Sequence, residues 1–129
     1  DLSLPSPTIV CEVSMDFLNQ ERLNNITEII RFPSVRRDLA FLVDKNCPIA
    51  TILKAITSNL QQTKGCSIVK KLTPFDVYVG EDLPEGKKSI TFSVVMQDPS
   101  KTLEESELEV ACSTIVKLAE AVEGVSIRS

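Results

Sequence analysis

The feature that most constrains this chain is the order in which its hydrophobic period changes between Arg36 and Arg128. Leu39, Phe41 and Val43 recur every second residue, which is a strand ending at Asp44-Lys45-Asn46. Ile49, Ile52, Leu53, Ile56 and Leu60 then recur at three- and four-residue steps, from Pro48 to the breaker Gly65. Pro is tolerated in a helix's first turn, so this stretch is a helix with one apolar face. Residues 67–79 and 88–97 return to strand-like composition. The connector between them, Gly80 to Lys87, holds two Gly and a Pro, so the two pair as a hairpin with a long loop. Pro74 marks an irregularity or an edge position in the first of the two.

Thr102-Leu103-Glu104-Glu105 has the spacing of a capping box, with Thr102 as the cap. Leu108, Ala111, Cys112, Ile115, Leu118, Ala119 and Val122 follow at helical spacing up to Gly124, and Val125 to Arg128 closes as a short strand. The order β-α-β-β-α-β predicts an α+β fold, the ferredoxin-like split βαβ, with an antiparallel sheet and two helices on one face. Upstream, Thr8 to Val13 reads as a single β-branched strand, and a short helix is expected around Phe17 to Leu23. Arg31-Phe32-Pro33 interrupts any regular element. Residues 1–30 are therefore read as an attachment to a preceding module and 31–129 as the domain proper. The chain opens on Asp1, and it is expected to be a piece of something longer.

Composition narrows the chemistry. Histidine is absent, which removes the commonest general acid–base group and metal ligand. Cys11, Cys47, Cys66 and Cys112 form no C-x-x-C pair, so reduced, buried thiols are expected rather than a metal site or a disulfide framework. No apolar run reaches the roughly 20 residues of a membrane span, and no secretory signal opens the chain, so a cytoplasmic location and no membrane partner are expected. The net charge of −4 argues against a phosphate-backbone partner, but it is unevenly spread. Residues 31–101 carry eleven bases and seven acids, whereas both flanks are acidic.

With both helices on one side, strand alternation assigns the other side. Ile90, Phe92, Val94 and Met96, together with Val77 and Val79, are expected to face the helices. The open face receives Asp76 and Tyr78 from one strand and Ser89, Thr91 and Ser93 from its neighbour. A single exposed tyrosine among hydrogen-bonding groups is the layout with which four-stranded sheets read unpaired bases, although such sheets commonly offer two or more aromatics. Arg31, Arg36, Arg37, Lys70, Lys71, Lys87 and Lys88 lie nearby in sequence as phosphate contacts; for Lys70 and Lys71, protection of a sheet edge is an equal reading.

Several runs resemble one family in order. These are Arg31-Phe32-Pro33-Ser34-Val35-Arg36-Arg37-Asp38-Leu39-Ala40, Phe75-Asp76-Val77-Tyr78-Val79-Gly80, Pro84-Glu85-Gly86-Lys87-Lys88-Ser89, Thr102-Leu103 and the closing Arg128. Together they resemble the C-terminal ferredoxin-fold anticodon-binding domain of the bacterial phenylalanine–tRNA ligase beta subunit. Ile9 to Val13 is similar to the last strand of the catalytic-like module preceding that domain, and Ser106 departs from the pattern where the family is usually acidic. The resemblance implies binding of the anticodon stem-loop of phenylalanine tRNA, with no DNA partner. It also implies an alpha subunit in a two-alpha two-beta parent, with ATP and magnesium used by that parent and no cofactor in this segment. Residue by residue it implies that Tyr78 stacks on an anticodon base, that Asp76 accepts from a guanine edge, that Ser89 bonds beside it, and that Arg36 and Lys87 hold phosphates. Arg37 is either an RNA contact or the partner of Asp38.

Two other classes fit less well. An acylphosphatase-like enzyme needs an anion-cradling loop after the first strand, where this chain has Val43-Asp44-Lys45-Asn46. An assembly or regulatory module, packing on another subunit or binding a small ligand, favours large apolar residues where Ser89, Thr91 and Ser93 stand.

Overall fold

A computed structural model of the chain describes residues 8–18, 30–60, 62–63 and 65–128. Its elements are a four-residue helix α1 (Met15–Leu18), β1 (Val35–Asp44), α2 (Ile49–Leu60), β2 (Val69–Tyr78), β3 (Lys87–Met96), α3 (Glu105–Glu120) and β4 (Ser126–Ile127). The sheet order is β2-β3-β1-β4, with every neighbouring pair antiparallel. From β1 onward this is the expected βαββαβ order.

Both helices lie on one face. Phe41 and Val43 of β1 and Ile90, Phe92, Val94 and Met96 of β3 form one buried cluster with Ile52 and Ile56 of α2 and Ala111 and Ile115 of α3. Phe41 and Phe92 meet edge to face, with ring centroids 5.9 Å apart and planes at 73°. Such a pair contributes about 0.5–1.5 kcal/mol beyond the area it buries.

The start of α3 differs from the expected capping box. The cap is Glu104, not Thr102, and the Glu107 carboxylate accepts from the Glu104 amide at 3.1 Å. The shift follows from Leu103 and Leu108, which flank the cap at the hydrophobic-staple positions and are both buried. Placing the cap at Thr102 would move this pair off the staple.

Residues 8–13 are not a strand. They contribute nothing to the sheet, and Ile9 and Val10 are exposed; β propensity alone makes no strand without a ladder to join. The helix expected at 17–23 starts earlier, at Met15, and residues 19–23 lie outside the described ones. All four cysteines are free, but only Cys66 is buried; Cys47 and Cys112 are half-buried and Cys11 is exposed. Burial pushes the Cys112 thiol above its ordinary value.

Pro74 marks both features expected of it. β2 is an edge strand, and its register with β3 slips between Pro74 and Asp76. Val77 stays opposite Ile90, on the helix side, yet it is 47% exposed. Val79, beyond the strand end, is exposed as well. Neither is covered as expected, because β2 is the outermost strand and this end of it overhangs the packed core.

Candidate nucleic-acid interface

The pairing register sets out the open face in rows. Lys71, Val95 and Arg36 form one row, and Thr73, Ser93 and Asp38 the next. Asp76, Thr91 and Ala40 follow, and then Tyr78, Ser89, Leu42 and Ser126. Asp76 and Tyr78 are thus on the same face one row apart, as alternation predicts. Asp76 is exposed, and among the described residues its carboxylate forms no hydrogen bond or ion pair.

Tyr78 is held from two sides. Its hydroxyl donates to Asp82 Oδ1 at 2.5 Å, across the β2–β3 loop. The Arg128 guanidinium lies 5.7 Å from the ring centroid and also bonds Asp82 Oδ2 at 3.2 Å. The hydrogen bond to Asp82 and the adjacent carboxylate charge hold the phenol above its ordinary value, partly opposed by Arg128. The same hydrogen bond holds the Asp82 carboxyl below its ordinary value. Gly80 makes the arrangement possible, since a Cβ there would overlap the Tyr78 hydroxyl and Cζ.

Arg128 comes from the opposite edge of the sheet, where its amide donates to the Ala40 carbonyl at 2.8 Å. Edge strands of a four-stranded sheet are about 14 Å apart. The Tyr78–Arg128 contact therefore bridges the open face over the central strands. Ser89 is the β3 residue of that row, and it is 2% exposed. Alternation placed Ser89 on the right face, but it missed this cover, so Ser89 is not the accessible group that was expected. Neither Asp82 nor Arg128 was an expected site residue, although the closing Arg128 is one of the motifs that carry the resemblance. A carboxylate four residues after the only tyrosine, in a glycine-bearing loop, was the available signal for Asp82.

The basic residues are mostly engaged within the chain. Arg37 is on the helix side and bonds both Glu105 oxygens, at 2.8 and 2.9 Å. Asp38 pairs instead with Arg36, at 3.0 Å, because in a strand i and i+2 share a face and i and i+1 do not. Lys87 pairs with Asp44 at 2.7 Å, and Lys88 donates to the Cys47 carbonyl at 2.8 Å. Lys70 donates to the Ser67 carbonyl at 3.3 Å. Among the described residues, Arg31 and Lys71 are the members of this set with no such partner.

The described residues thus form an α+β domain whose open sheet face carries a held tyrosine, an exposed carboxylate and polar strand residues. The chain belongs to the ferredoxin-fold anticodon-binding domain family, whose model matches residues 31–128. Its relatives are phenylalanine–tRNA ligase beta subunits. It is 34% identical over 126 residues to that of Dechloromonas aromatica (strain RCB), covering 98% of this chain and 15% of that protein. It is 36% identical over 124 residues to that of Oceanobacillus iheyensis, covering 95% and 15%. The beta subunit of Acinetobacter baylyi is 34% identical over 122 residues, with 95% and 15% covered. The chain thus spans about 15% of the length of these relatives.

Among the described residues, no group of three or more His, Cys, Asp or Glu side chains could hold a metal ion, and no helix is long and apolar enough to cross a membrane.

Proposed function

We propose that the open face binds the anticodon stem-loop of phenylalanine tRNA as part of a phenylalanine–tRNA ligase beta subunit. The domain then supports attachment of phenylalanine to its tRNA, while the chemistry takes place elsewhere in a cytoplasmic two-alpha two-beta parent that uses ATP and magnesium. Residues 1–30 belong on this reading to the end of the preceding module. The observation that carries it is the adjacency of Tyr78 and Asp76 on a face that neither helix covers.

The exposed part of the Tyr78 ring offers a π surface to one base. One row away, the Asp76 carboxylate accepts from the N–H groups of a guanine Watson–Crick edge, which cytosine and uracil cannot present in the same pattern. Ser89 joins these contacts only once the Tyr78–Arg128 bridge opens, and Arg36 and Lys87 reach phosphates only by leaving Asp38 and Asp44.

The assembly reading draws on Val77, exposed at the overhanging end of β2, and Val79, exposed just beyond it. Val77 lies on the helix side, so a protein contact there leaves the RNA face free.

The chain contains one tyrosine and no tryptophan, so its tyrosine emission reports on Tyr78 alone. Titration with a phenylalanine anticodon stem-loop is expected to quench that emission at lower RNA concentration than a stem-loop of scrambled anticodon. Calorimetry on Asp76→Asn is expected to show lost preference between the two RNAs. Equal quenching by both RNAs, with Asp76→Asn unchanged, refutes the assignment.

A further inference from the structure

The register slip in β2 has a second effect on the open face. It takes Phe75 out of the strict alternation, between the Thr73 and Asp76 rows, and leaves its ring 52% exposed. The Arg36 guanidinium lies 5.1 Å from the centroid of that ring, and Arg36 Nε is 3.0 Å from Asp38 Oδ1. This repeats the arrangement at Tyr78: an aromatic ring, an arginine over it and an aspartate holding the arginine. Beside the Phe75 ring, a concavity of about 330 Å³ is lined by Arg36, Lys71, Thr73, Phe75, Ser93 and Val95. All six come from the end of the sheet away from Tyr78.

From these observations we propose a second nucleotide subsite, for a further unpaired nucleotide of the same RNA loop. It rests on the reading that the open face binds single-stranded RNA. Phe75 supplies the stacking surface, as exposed aromatics do in single-strand binders. Thr73 and Ser93, directly opposed across β2 and β3, supply hydroxyls that donate to or accept from a base edge. Lys71, exposed and without an ion pair among the described residues, takes the phosphate, and Arg36 stacks on or beside the base. Three residues at about 3.3 Å each separate Phe75 from Tyr78, so the two rings lie roughly 10 Å apart along the strand. Neighbouring nucleotides of an unstacked loop can cover that span.

The test uses the chain itself with an anticodon stem-loop and a series of stem-loops made abasic at one loop position each. Phe75→Leu keeps the apolar bulk and removes the π face, and Lys71→Ala removes the phosphate contact. Circular dichroism checks that each variant is folded. Phe75→Leu is expected to weaken binding roughly 5- to 150-fold, the range for loss of one stacked base. It is also expected to make binding indifferent to the base at one loop position, different from the position that Tyr78→Ala silences. If wild type binds, Tyr78→Ala weakens it, and both Phe75→Leu and Lys71→Ala match wild type, the second subsite is refuted while the Tyr78 reading stands. If wild type shows no binding at low salt, both are refuted.

Discussion

Gly124 joins α3 to β4, and replacing it with alanine tests how the edge carrying Arg128 is positioned. Two costs are independent. Gly124 sits at φ +79°, a left-handed conformation that costs an L-residue about 1–2 kcal/mol. A Cβ there would also overlap the Asp44 carboxylate, which pairs with Lys87 at 2.7 Å. Displacing Asp44 sacrifices a surface ion pair, a loss of about 0–1 kcal/mol. Gly124→Ala should therefore destabilise the domain by about 1–3 kcal/mol. At about 4–8 °C per kcal/mol for a domain of this size, the melting temperature should fall by roughly 4–24 °C. The two parts separate in a double-mutant cycle. In an Asp44→Ala background the overlap is gone, so the second Gly124→Ala should cost only the conformational part. An equal cost in both backgrounds refutes the steric contribution, and a cost below about 0.3 kcal/mol in the Asp44→Ala background refutes the conformational one.

The remaining predictions concern the core, the Tyr78 bridge and salt. Phe92→Ala should cost about 3–5 kcal/mol in chemical denaturation, a large share of the roughly 5–15 kcal/mol that holds a domain folded, because Phe92 is fully buried against Phe41. The Tyr78 phenol, followed by absorbance at 295 nm, should titrate above its ordinary value in wild type and closer to it in Asp82→Asn. Because its folded pKa is raised, its contribution to stability is full below the unfolded value of about 10 and is lost as pH rises through the folded one. Asp82 has the opposite sign: its contribution is present above the ordinary carboxylate value and is lost as pH falls through the lowered folded one. Gly80→Ala should displace the Tyr78 hydroxyl from Asp82, lower the phenol pKa and change the tyrosine emission, while the melting curve stays close to that of wild type. Of the seven basic residues expected beside the open face, Arg31 and Lys71 are the two without a partner among the described residues, so the log–log salt slope of RNA binding should lie near −1.4, two contacts at about −0.7 each. A slope beyond −3 would mean that the ion pairs of Arg36, Arg37 or Lys87 open on binding.

The fold was legible because each level of the sequence agreed. Ile52, Ile56 and Leu60 bury at helical spacing, and Ile90, Phe92, Val94 and Met96 bury at strand spacing. Alternation then put Asp76, Tyr78 and Ser89 on one face. What alternation could not see were departures from an ideal flat sheet. The bulge beside Pro74 adds Phe75 to the exposed aromatics, so the sheet offers two exposed rings where the sequence pattern had counted one. The outermost position of β2 exposes Val77 although its parity is that of the core. A cross-sheet contact between residues 50 positions apart buries Ser89, and no local pattern encodes such a contact. The ion pairs were misread for a related reason: Arg37 and Asp38 are adjacent in sequence but point to opposite faces.

This placement of charge determines where affinity on the open face can originate. The basic excess of residues 31–101 suggests electrostatic attraction, but Arg36, Arg37 and Lys87 each already face a carboxylate within 3.0 Å. Recruiting one of them for a phosphate exchanges one ion pair for another and yields little net energy. The rings are different, because Tyr78 and Phe75 remain about half exposed, and stacking a base on either requires no ion pair to break. Arg128 and Arg36 cover part of each ring, and their own aspartates hold them there. The face is therefore pre-shaped for flat aromatic ligands and nearly neutral towards backbone charge. On the proposed reading, such a surface discriminates among unpaired bases and holds duplex phosphates weakly, which is the balance a loop-reading module requires.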